Sequence, residues 1–220
     1  MAYEILSLKN DDYLKVMRRT ADCLLAGDII VLPTETVYGL GVLASNETAV
    51  ERLCREKNRR VGHALPLAIS GRAMLQDYVP IVPEVAKRFA EKFWPGPLTI
   101  VIDVNNNEGR FSKWSSKVKN WIFPQSMCGF RSPDNKFLLD LITFINEPLI
   151  LTSANISGET PSTSIDSAIR SLHQHVDLFV DDGPSQLGNP STVVKIVGND
   201  FSILRSGNVT REMLTQALQE

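Results

Sequence analysis

The residues whose types best suit ligand binding lie just after residue 31. Residues 28–31 read as a short strand, and residues 32–41 then bring together two threonines, a glutamate, a tyrosine and two glycines. Hydroxyls donate and accept hydrogen bonds, and glycine lets a ligand approach the backbone closely. These residue types at a strand end indicate a binding site around Thr34, although a polar turn uses the same residues.

A cluster of cations follows a predicted helix that ends near Glu56. Lys57, Arg59 and Arg60 stand within four residues, and like charges at that spacing repel one another unless an anion lies nearby. Lysine binds phosphate as a point charge, and arginine offers a planar pair of donors. The cluster predicts a phosphate site, with a solvated basic helix end as the alternative. The sequence contains neither G-x-x-x-x-G-K-[ST] nor G-x-G-x-x-G, so those two loops would not hold a nucleotide.

A second polar segment follows the predicted strand at residues 149–151. Thr152 and Ser153 come directly after it, and Asn155 stands two residues beyond Ser153. Because side chains alternate along an extended backbone, Ser153 and Asn155 can face one ligand. Ligands of α/β sheets bind beyond strand ends, so we interpret this segment as a second part of the site, with a Ser/Asn turn as the alternative.

Three further residues stand at predicted strand edges near turns. Arg131 precedes Ser-Pro and suits a carboxylate clamp, with a structural salt bridge to an acid such as Asp134 as the alternative. Ser191 and Arg205 bring a hydroxyl and a guanidinium to two other edges. His63 lies near the cationic cluster and could hydrogen-bond a ligand. The sequence offers no persuasive Ser-His-Asp triad and no paired-carboxylate signature.

The elements that must position these residues alternate irregularly between strands and helices. This order predicts an α/β class: a single domain over residues 1–220 (core about 10–215) with a twisted, mixed sheet flanked by helices. The segment 105–125, with Trp114 and Trp121, is predicted to be a loop or lid-like insertion. Apolar patterning predicts helices over 11–26, 48–56, 82–93, 135–146 and 165–171, plus a last helix capped by Thr210, and strands over 29–32, 64–69, 98–102, 127–130, 149–151, 178–180, 192–197 and 201–204.

Composition narrows the class of protein. The net charge of −2 over 220 residues argues against binding nucleic acid through overall charge. Cys23, Cys54 and Cys128 are widely spaced and indicate neither a disulfide framework nor a zinc site. The sequence shows no signal-peptide pattern and no apolar run of roughly 18–20 residues, so we expect a cytoplasmic protein without a membrane span.

Seven motifs together resemble the YrdC-like family, the threonylcarbamoyl-AMP synthases. They occur in the family's order and extend the resemblance from about residue 10 to residue 215. One such motif would be weak evidence, but seven in order are highly specific. They are residues 33–40, Lys57-x-Arg59, residues 94–99, residues 129–134, residues 152–158, residues 191–194 and Leu204-Arg205-x-Gly207.

The resemblance implies a fold and a reaction. Members of the family are α/β domains with a basic concave face, and the length of this chain suggests the single-domain type. They act as nucleotidyltransferases that convert L-threonine, bicarbonate or CO2 and ATP, which carries Mg²⁺, into threonylcarbamoyl-AMP and pyrophosphate. A partner complex then transfers the threonylcarbamoyl group to tRNA, and weak binding of tRNA by the synthase itself is possible.

The resemblance also implies roles for individual residues. No side chain is expected to ligate a metal directly. Catalysis and ATP phosphate binding would fall to Lys57, Arg59, Ser153 and Asn155, with Arg205 also on the ATP side; L-threonine and its carbamate would be bound by Thr34, His63, Arg131, Thr152 and Ser191.

The chain departs from the family pattern at three prolines. Arg60, Ala64 and Ser206 stand where the family usually has proline, and we expect greater mobility of the 57–64 loop when the site is empty.

Two other functions stay open at this stage. An RNA-binding module could use the same face, with Trp114 and Trp121 stacking on bases. A carbamoyl-transfer domain is the other, since a related domain occurs in larger carbamoyltransferases.

Overall fold

The computed structural model describes residues 3–58, 64–105 and 109–219. Within these ranges ten strands form one sheet. They are β1 (Glu4–Ser7), β2 (Ile30–Leu32), β3 (Gly39–Leu43), β4 (Leu67–Ala68), β5 (Leu98–Asp103), β6 (Met127–Arg131), β7 (Leu149–Ser153), β8 (Leu178–Asp181), β9 (Thr192–Val197) and β10 (Asp200–Arg205).

Eight α-helices flank this sheet in the same ranges, together with two short 3-10 helices at Arg110–Lys113 and Pro124–Ser126. The α-helices are α1 (Tyr13–Ala26), α2 (Glu47–Glu56), α3 (Arg72–Tyr78), α4 (Glu84–Phe93), α5 (Ser116–Ile122), α6 (Lys136–Ile145), α7 (Ile165–Leu172) and α8 (Arg211–Gln219). No helix among the described residues is both long and apolar enough to cross a bilayer.

The sheet is mixed, as predicted. Its strand order is β1-β8-β2-β3-β7-β4-β6-β5-β9-β10. The pairs β1/β8, β2/β8, β4/β6 and β5/β9 are parallel, whereas β2/β3, β3/β7, β4/β7, β5/β6 and β9/β10 are antiparallel. The predicted α/β class with one mixed sheet is therefore confirmed.

The two ends of the first helix are set by residues adjacent to it in the sequence. Asp12 accepts a hydrogen bond from the backbone N–H of Lys15 at the start of α1, an N-cap that stabilises a helix by about 1 kcal/mol. Gly27 ends the helix with a φ of 94° and donates its N–H to the carbonyls of Cys23 and Leu24. The predicted end of this helix is confirmed, because this left-handed conformation suits glycine.

At β5 the core lies on one face of the sheet. In β5 the side chains of Leu98, Ile100 and Ile102 are fully buried, while Thr99 and Val101 point to the opposite face, where they line a cavity. This alternation follows from the pleat of the strand. At this strand, one face of the sheet packs in the core and the other lines the cavity.

All three cysteines are free and buried. Cys23 and Cys54 pack in the core as small apolar side chains, as predicted. Burial raises the pKa of the Cys128 thiol well above its usual value.

The prediction of a loop over residues 105–125 is wrong for most of its described part. Phe111, Trp114, Val118 and Ile122 are buried there, because a 3-10 helix and α5 turn their apolar side chains inward. Trp121 is partly buried against the same core. The sequence reading missed β1, β3 and α3, and the strand predicted over 64–69 is limited to Leu67–Ala68.

Candidate active site

A cavity of about 670 Å³ lies on the face of the sheet opposite the core. Residues of β3, β7, β4, β6, β5, β9 and β10 contribute to it, because alternate residues of neighbouring strands point to the same side. Its volume suits a small-molecule ligand. The polar lining residues are Thr34, Tyr38, Thr99, Gln125, Arg131, Thr152, Ser153, Ser191, Lys195 and Arg205.

Arg131 ends β6 and is held from several sides. Its Nε donates to the carbonyl of Gly96 at 3.3 Å, and its Nη2 donates to the hydroxyl of Thr36 at 2.8 Å. The same Nη2 lies 2.8 Å from Oε2 of Glu35 in a largely buried ion pair. The alternative of a structural salt bridge is therefore confirmed for Arg131, with Glu35 rather than Asp134 as the acid.

The hydroxyl of Thr34 organises the turn after β2. It donates to the carbonyl of Val37 at 2.6 Å and accepts from the backbone N–H groups of Thr36 and Val37. Because its proton is used on Val37, the 2.9 Å contact between the two threonine hydroxyls has Thr36 as donor. Arg131, Thr36 and Thr34 thus form one directed chain of hydrogen bonds.

Lys57 follows α2 and lies behind the end of β7. Its side chain is almost fully buried, with the residue 3% exposed, and its Nζ donates to the carbonyl of Ser153 at 2.5 Å. Asn155 donates its amide to the carbonyls of Ile156 and Glu159. Ser153 thus stands at the cavity wall with Lys57 against its backbone, while Asn155 braces the following turn.

Arg205 ends β10 at the rim of the cavity. Its Nε and Nη2 donate to the carbonyl of Ser191 at 3.0 and 2.7 Å, and Nη2 also donates to the hydroxyl of Ser191 at 3.0 Å. Burial of the guanidinium against the protein lowers the pKa of Arg205, and the positive charge of Arg131 adds to this. Two cations close enough to repel one another favour an anion between them.

Six of the ten residues predicted for the site line the cavity together: Thr34, Arg131, Thr152, Ser153, Ser191 and Arg205. Lys57 and Asn155 lie behind its wall rather than in the lining. Arg59 and His63, together with Arg60, are outside the described residues. Ala64 lines the cavity, and Ser206 is exposed next to Arg205.

Sequence reasoning gave no role to Glu35, Thr99 or Lys195. Thr99 and Lys195 line the cavity, and the alternation of apolar and other residues along β5 and β9 would have assigned them to that face. Glu35 could not have been found in this way, because its partner lies 96 residues away in the sequence.

The fold and the cavity define an α/β domain with a cavity of small-molecule size on one face of a mixed sheet. The chain belongs to the Sua5/YciO/YrdC family, whose model, described as "Telomere recombination", matches residues 22–207. The resemblance stated from the motifs is thereby confirmed.

Individual relatives support this membership. The chain is 30% identical to the threonylcarbamoyl-AMP synthase of Pyrococcus abyssi over 93% of its own length and 57% of that protein. It is 33% identical to the threonylcarbamoyl-AMP synthase of Rattus norvegicus, over 94% of this chain and 72% of that one. The chain thus spans little more than half the length of the archaeal relative.

A solved structure of P. abyssi Sua5 in complex with L-threonine superposes with a TM-score of 0.85 at 28% identity. The superposition covers 99% of this chain and 61% of that one. The similarity therefore extends from sequence motifs to the whole fold described above.

Proposed function

We propose that this chain is an enzyme, a nucleotidyltransferase that makes threonylcarbamoyl-AMP and pyrophosphate from L-threonine, bicarbonate or CO2, and ATP. The observation that carries the proposal is one cavity whose lining combines the cation Arg131 with the hydroxyl-bearing residues Thr34, Thr152 and Ser191. A guanidinium can bind the carboxylate of an amino acid, and hydroxyls in the same lining can hydrogen-bond its polar side chain. The names of the relatives, and the threonine bound in one of them, support the same substrate.

The amino-acid end of the site would lie at Arg131. Its Nε and Nη2 donate to protein groups, which leaves Nη1 to face a ligand carboxylate. Thr34, Thr152 and Ser191 would surround the threonine and its carbamate, with His63 as a further contact. A site that hydrogen-bonds the threonine hydroxyl rejects analogues that lack it.

The phosphate end would lie at the end of β7, near the wall that Ser153 shares with Lys57. We assign ATP binding and catalysis to Lys57, Arg59, Ser153 and Asn155, and we place Arg205 on the ATP side. Mg²⁺ would enter with the triphosphate and neutralise charge on the departing pyrophosphate.

The chemistry requires positioning rather than a protein nucleophile. The neutral amine of threonine attacks the carbon of bicarbonate or CO2 and forms a carbamate, with loss of water in the bicarbonate case. A carbamate oxygen then attacks the α-phosphorus of ATP, and the bond to the β,γ-diphosphate breaks. Holding the two reactants in line lowers the barrier, which fits a cavity of hydroxyls and cations.

Incubation with ATP, Mg²⁺, bicarbonate and L-threonine tests the proposal. We expect threonylcarbamoyl-AMP and an equal amount of pyrophosphate by mass spectrometry, with neither formed when threonine or bicarbonate is omitted. Serine and valine serve as matched controls, because each lacks one group of threonine. ATP turnover that does not depend on threonine would contradict the proposal.

The product would then serve tRNA modification. A threonylcarbamoyl group joined to AMP as a mixed anhydride is an activated donor for acyl transfer, and we propose that a separate complex transfers it to tRNA in the cytoplasm.

Direct RNA binding by this chain through stacking on Trp114 is disfavoured, because that residue is only 6% exposed. A steep salt dependence of RNA affinity without adenylate formation would instead favour an RNA-binding role.

A further inference from the structure

A pair of hydroxyls in the cavity wall is not explained by the roles above. Oγ1 of Thr99 lies 2.9 Å from Oγ of Ser191, and either atom could be the donor. The two residues are 5% and 3% exposed, so water competes little for their hydrogen bond. Ser191 has a proposed role toward threonine, whereas Thr99 has none.

The sheet brings these two residues together. Strands β5 and β9 are parallel, with Leu98 opposite Thr192 and Thr99 opposite Val193. Ser191 immediately precedes β9, and the backbone N–H of Thr192 donates to the carbonyl of Pro97 at 2.9 Å. The hydroxyl of Thr99 is therefore held against Ser191 by the register of two strands.

The direction of the hydrogen bonds follows from what each group can do. Arg205 can only donate, so the hydroxyl oxygen of Ser191 accepts at their 3.0 Å contact. Ser191 has a single proton, which goes either to Thr99 or into the cavity. If it goes into the cavity, Thr99 must be the donor at the 2.9 Å contact.

We propose that Thr99 is a positioning residue that turns the proton of Ser191 toward the ligand. With a ligand oxygen present, Ser191 accepts from both Arg205 and Thr99, and its two lone pairs are filled. It then acts only as a donor and recognises an acceptor atom, a carboxylate or carbamate oxygen. The ammonium group of free threonine finds no acceptor there. This role rests on the proposed function. It adds to that function a statement of which substrate atoms Ser191 recognises.

Thr99→Val tests the role, because valine keeps the shape of threonine and removes the hydroxyl. We expect the KM for L-threonine to rise about tenfold, the effect of losing one good hydrogen bond, while the KM for ATP changes less than twofold. Thr99→Ser keeps the hydroxyl and restores the KM for threonine. Equal rises in both KM values, or a serine variant as poor as the valine variant, would overturn the role.

A matched control separates positioning from stability. Thr20→Val also removes a buried threonine hydroxyl, one that donates to the carbonyl of Val16 in α1 at 2.8 Å, far from the cavity. It should lower stability without changing either KM. If Thr20→Val raised the KM for threonine as much as Thr99→Val, loss of stability would explain both effects and the proposal would fail.

A double-mutant cycle in the ligand-free protein tests the hydrogen bond itself. Thr99→Val and Ser191→Ala each remove one end of the same contact, so their effects on urea unfolding should be less than additive. If the two substitutions had additive effects on unfolding while the wild-type chain formed the adenylate, the hydrogen bond between Thr99 and Ser191 would be disproved and the proposed function would stand. A wild-type chain that forms no adenylate would overturn the proposed function, and with it the role of Thr99 toward threonine, whatever the cycle shows.

Discussion

The buried charge pair between Glu35 and Arg131 determines how the cavity holds its most important cation. The carboxylate of Glu35 lies almost wholly out of solvent at 2.8 Å from the guanidinium. Neither of its oxygens receives a well-oriented hydrogen bond, so charge rather than hydrogen-bond geometry holds the pair. Removing one member of such a pair leaves the other charge buried and uncompensated.

Glu35→Gln should therefore both destabilise the protein and weaken threonine binding. We expect a loss of about 3–5 kcal/mol in the free energy of unfolding, together with a higher KM for threonine, because Arg131 loses one of its anchors. Urea titration and initial rates measure the two effects. Glu91→Gln is the matched control: Glu91 pairs with Arg72 at 2.8 Å on the surface and should cost less than about 1 kcal/mol. Equal costs for both variants would contradict the special position of Glu35.

Lys57→Met separates the charge of Lys57 from its packing. Methionine keeps an unbranched apolar stem, while the bond from Nζ to the Ser153 carbonyl is lost. Adenylate formation should fall by about 100-fold or more, the usual effect of removing a charge-stabilising donor. The affinity for threonine, measured by calorimetry, should stay within about twofold. Unchanged turnover would contradict the assignment of Lys57 to the phosphate end.

At the scale of elements, the turn after β10 supports the loop that carries Ser191. A Cβ on Gly207 would lie 2.5 Å from the backbone nitrogen of Thr192 and 2.6 Å from the carbonyl oxygen of Pro190. These are backbone atoms that cannot rotate away. The close approach of two chain segments explains why glycine stands here, next to Arg205.

Gly207→Ala should push the Ser191 loop away from Arg205. We expect a loss of about 1–3 kcal/mol in stability, typical of overpacking, and a several-fold rise in the KM for threonine. Gly188→Ala is the matched control: its φ is 68° and a Cβ there meets nothing within 4 Å, so it brings backbone strain alone. A Gly188 variant with the same rise in KM would show that strain, not displacement of Ser191, is responsible.

Elements with their own local signals were predictable from the sequence. The first helix is capped by Gly27 at its C-terminus. The last helix is preceded by Thr210, whose hydroxyl accepts from the N–H of Met213 at 3.3 Å. In both cases the capping residue is adjacent in sequence to the helix. The residue types after Thr34 predict a polar strand end, and Thr34, Val37, Tyr38 and Gly39 line the cavity. The continuation of this segment as β3 was missed because glycines dominate it; Gly39 leaves room for the side chain of Leu151 on the neighbouring strand, a contact that no local pattern reveals.

The segment 105–125 shows the opposite error. Its many polar and basic residues suggested a loop, yet Phe111, Trp114, Val118 and Ile122 recur at intervals of three and four residues. That spacing is typical of a helical face. The Glu35–Arg131 pair and the contact between Thr99 and Ser191 join residues 96 and 92 positions apart, so only the folded chain brings them together.

At the scale of the whole molecule, the three thiols should report on unfolding. Burial raises the pKa of Cys23 to about 11, with an opposing contribution from the charge of Arg19, and raises that of Cys128 well above its usual value. Because only the thiolate reacts, little reactive species exists at pH 8. We expect no modification by a thiol-specific disulfide reagent in the native protein and three thiols modified in urea. Rapid native labelling of Cys128 would contradict its burial.

The floor of the cavity is assembled from strands far out of their chain order, with β3 beside β7 and β5 beside β9. Arg205 ends β10 and Ser191 immediately precedes β9, and these two strands are the last that the ribosome makes. A nascent chain that has emerged only to β8 already contains Thr34, Arg131 and Ser153, yet it lacks one wall of the cavity. We therefore expect the cavity to be complete only once β9 and β10 have been released from the ribosome and have paired with the sheet.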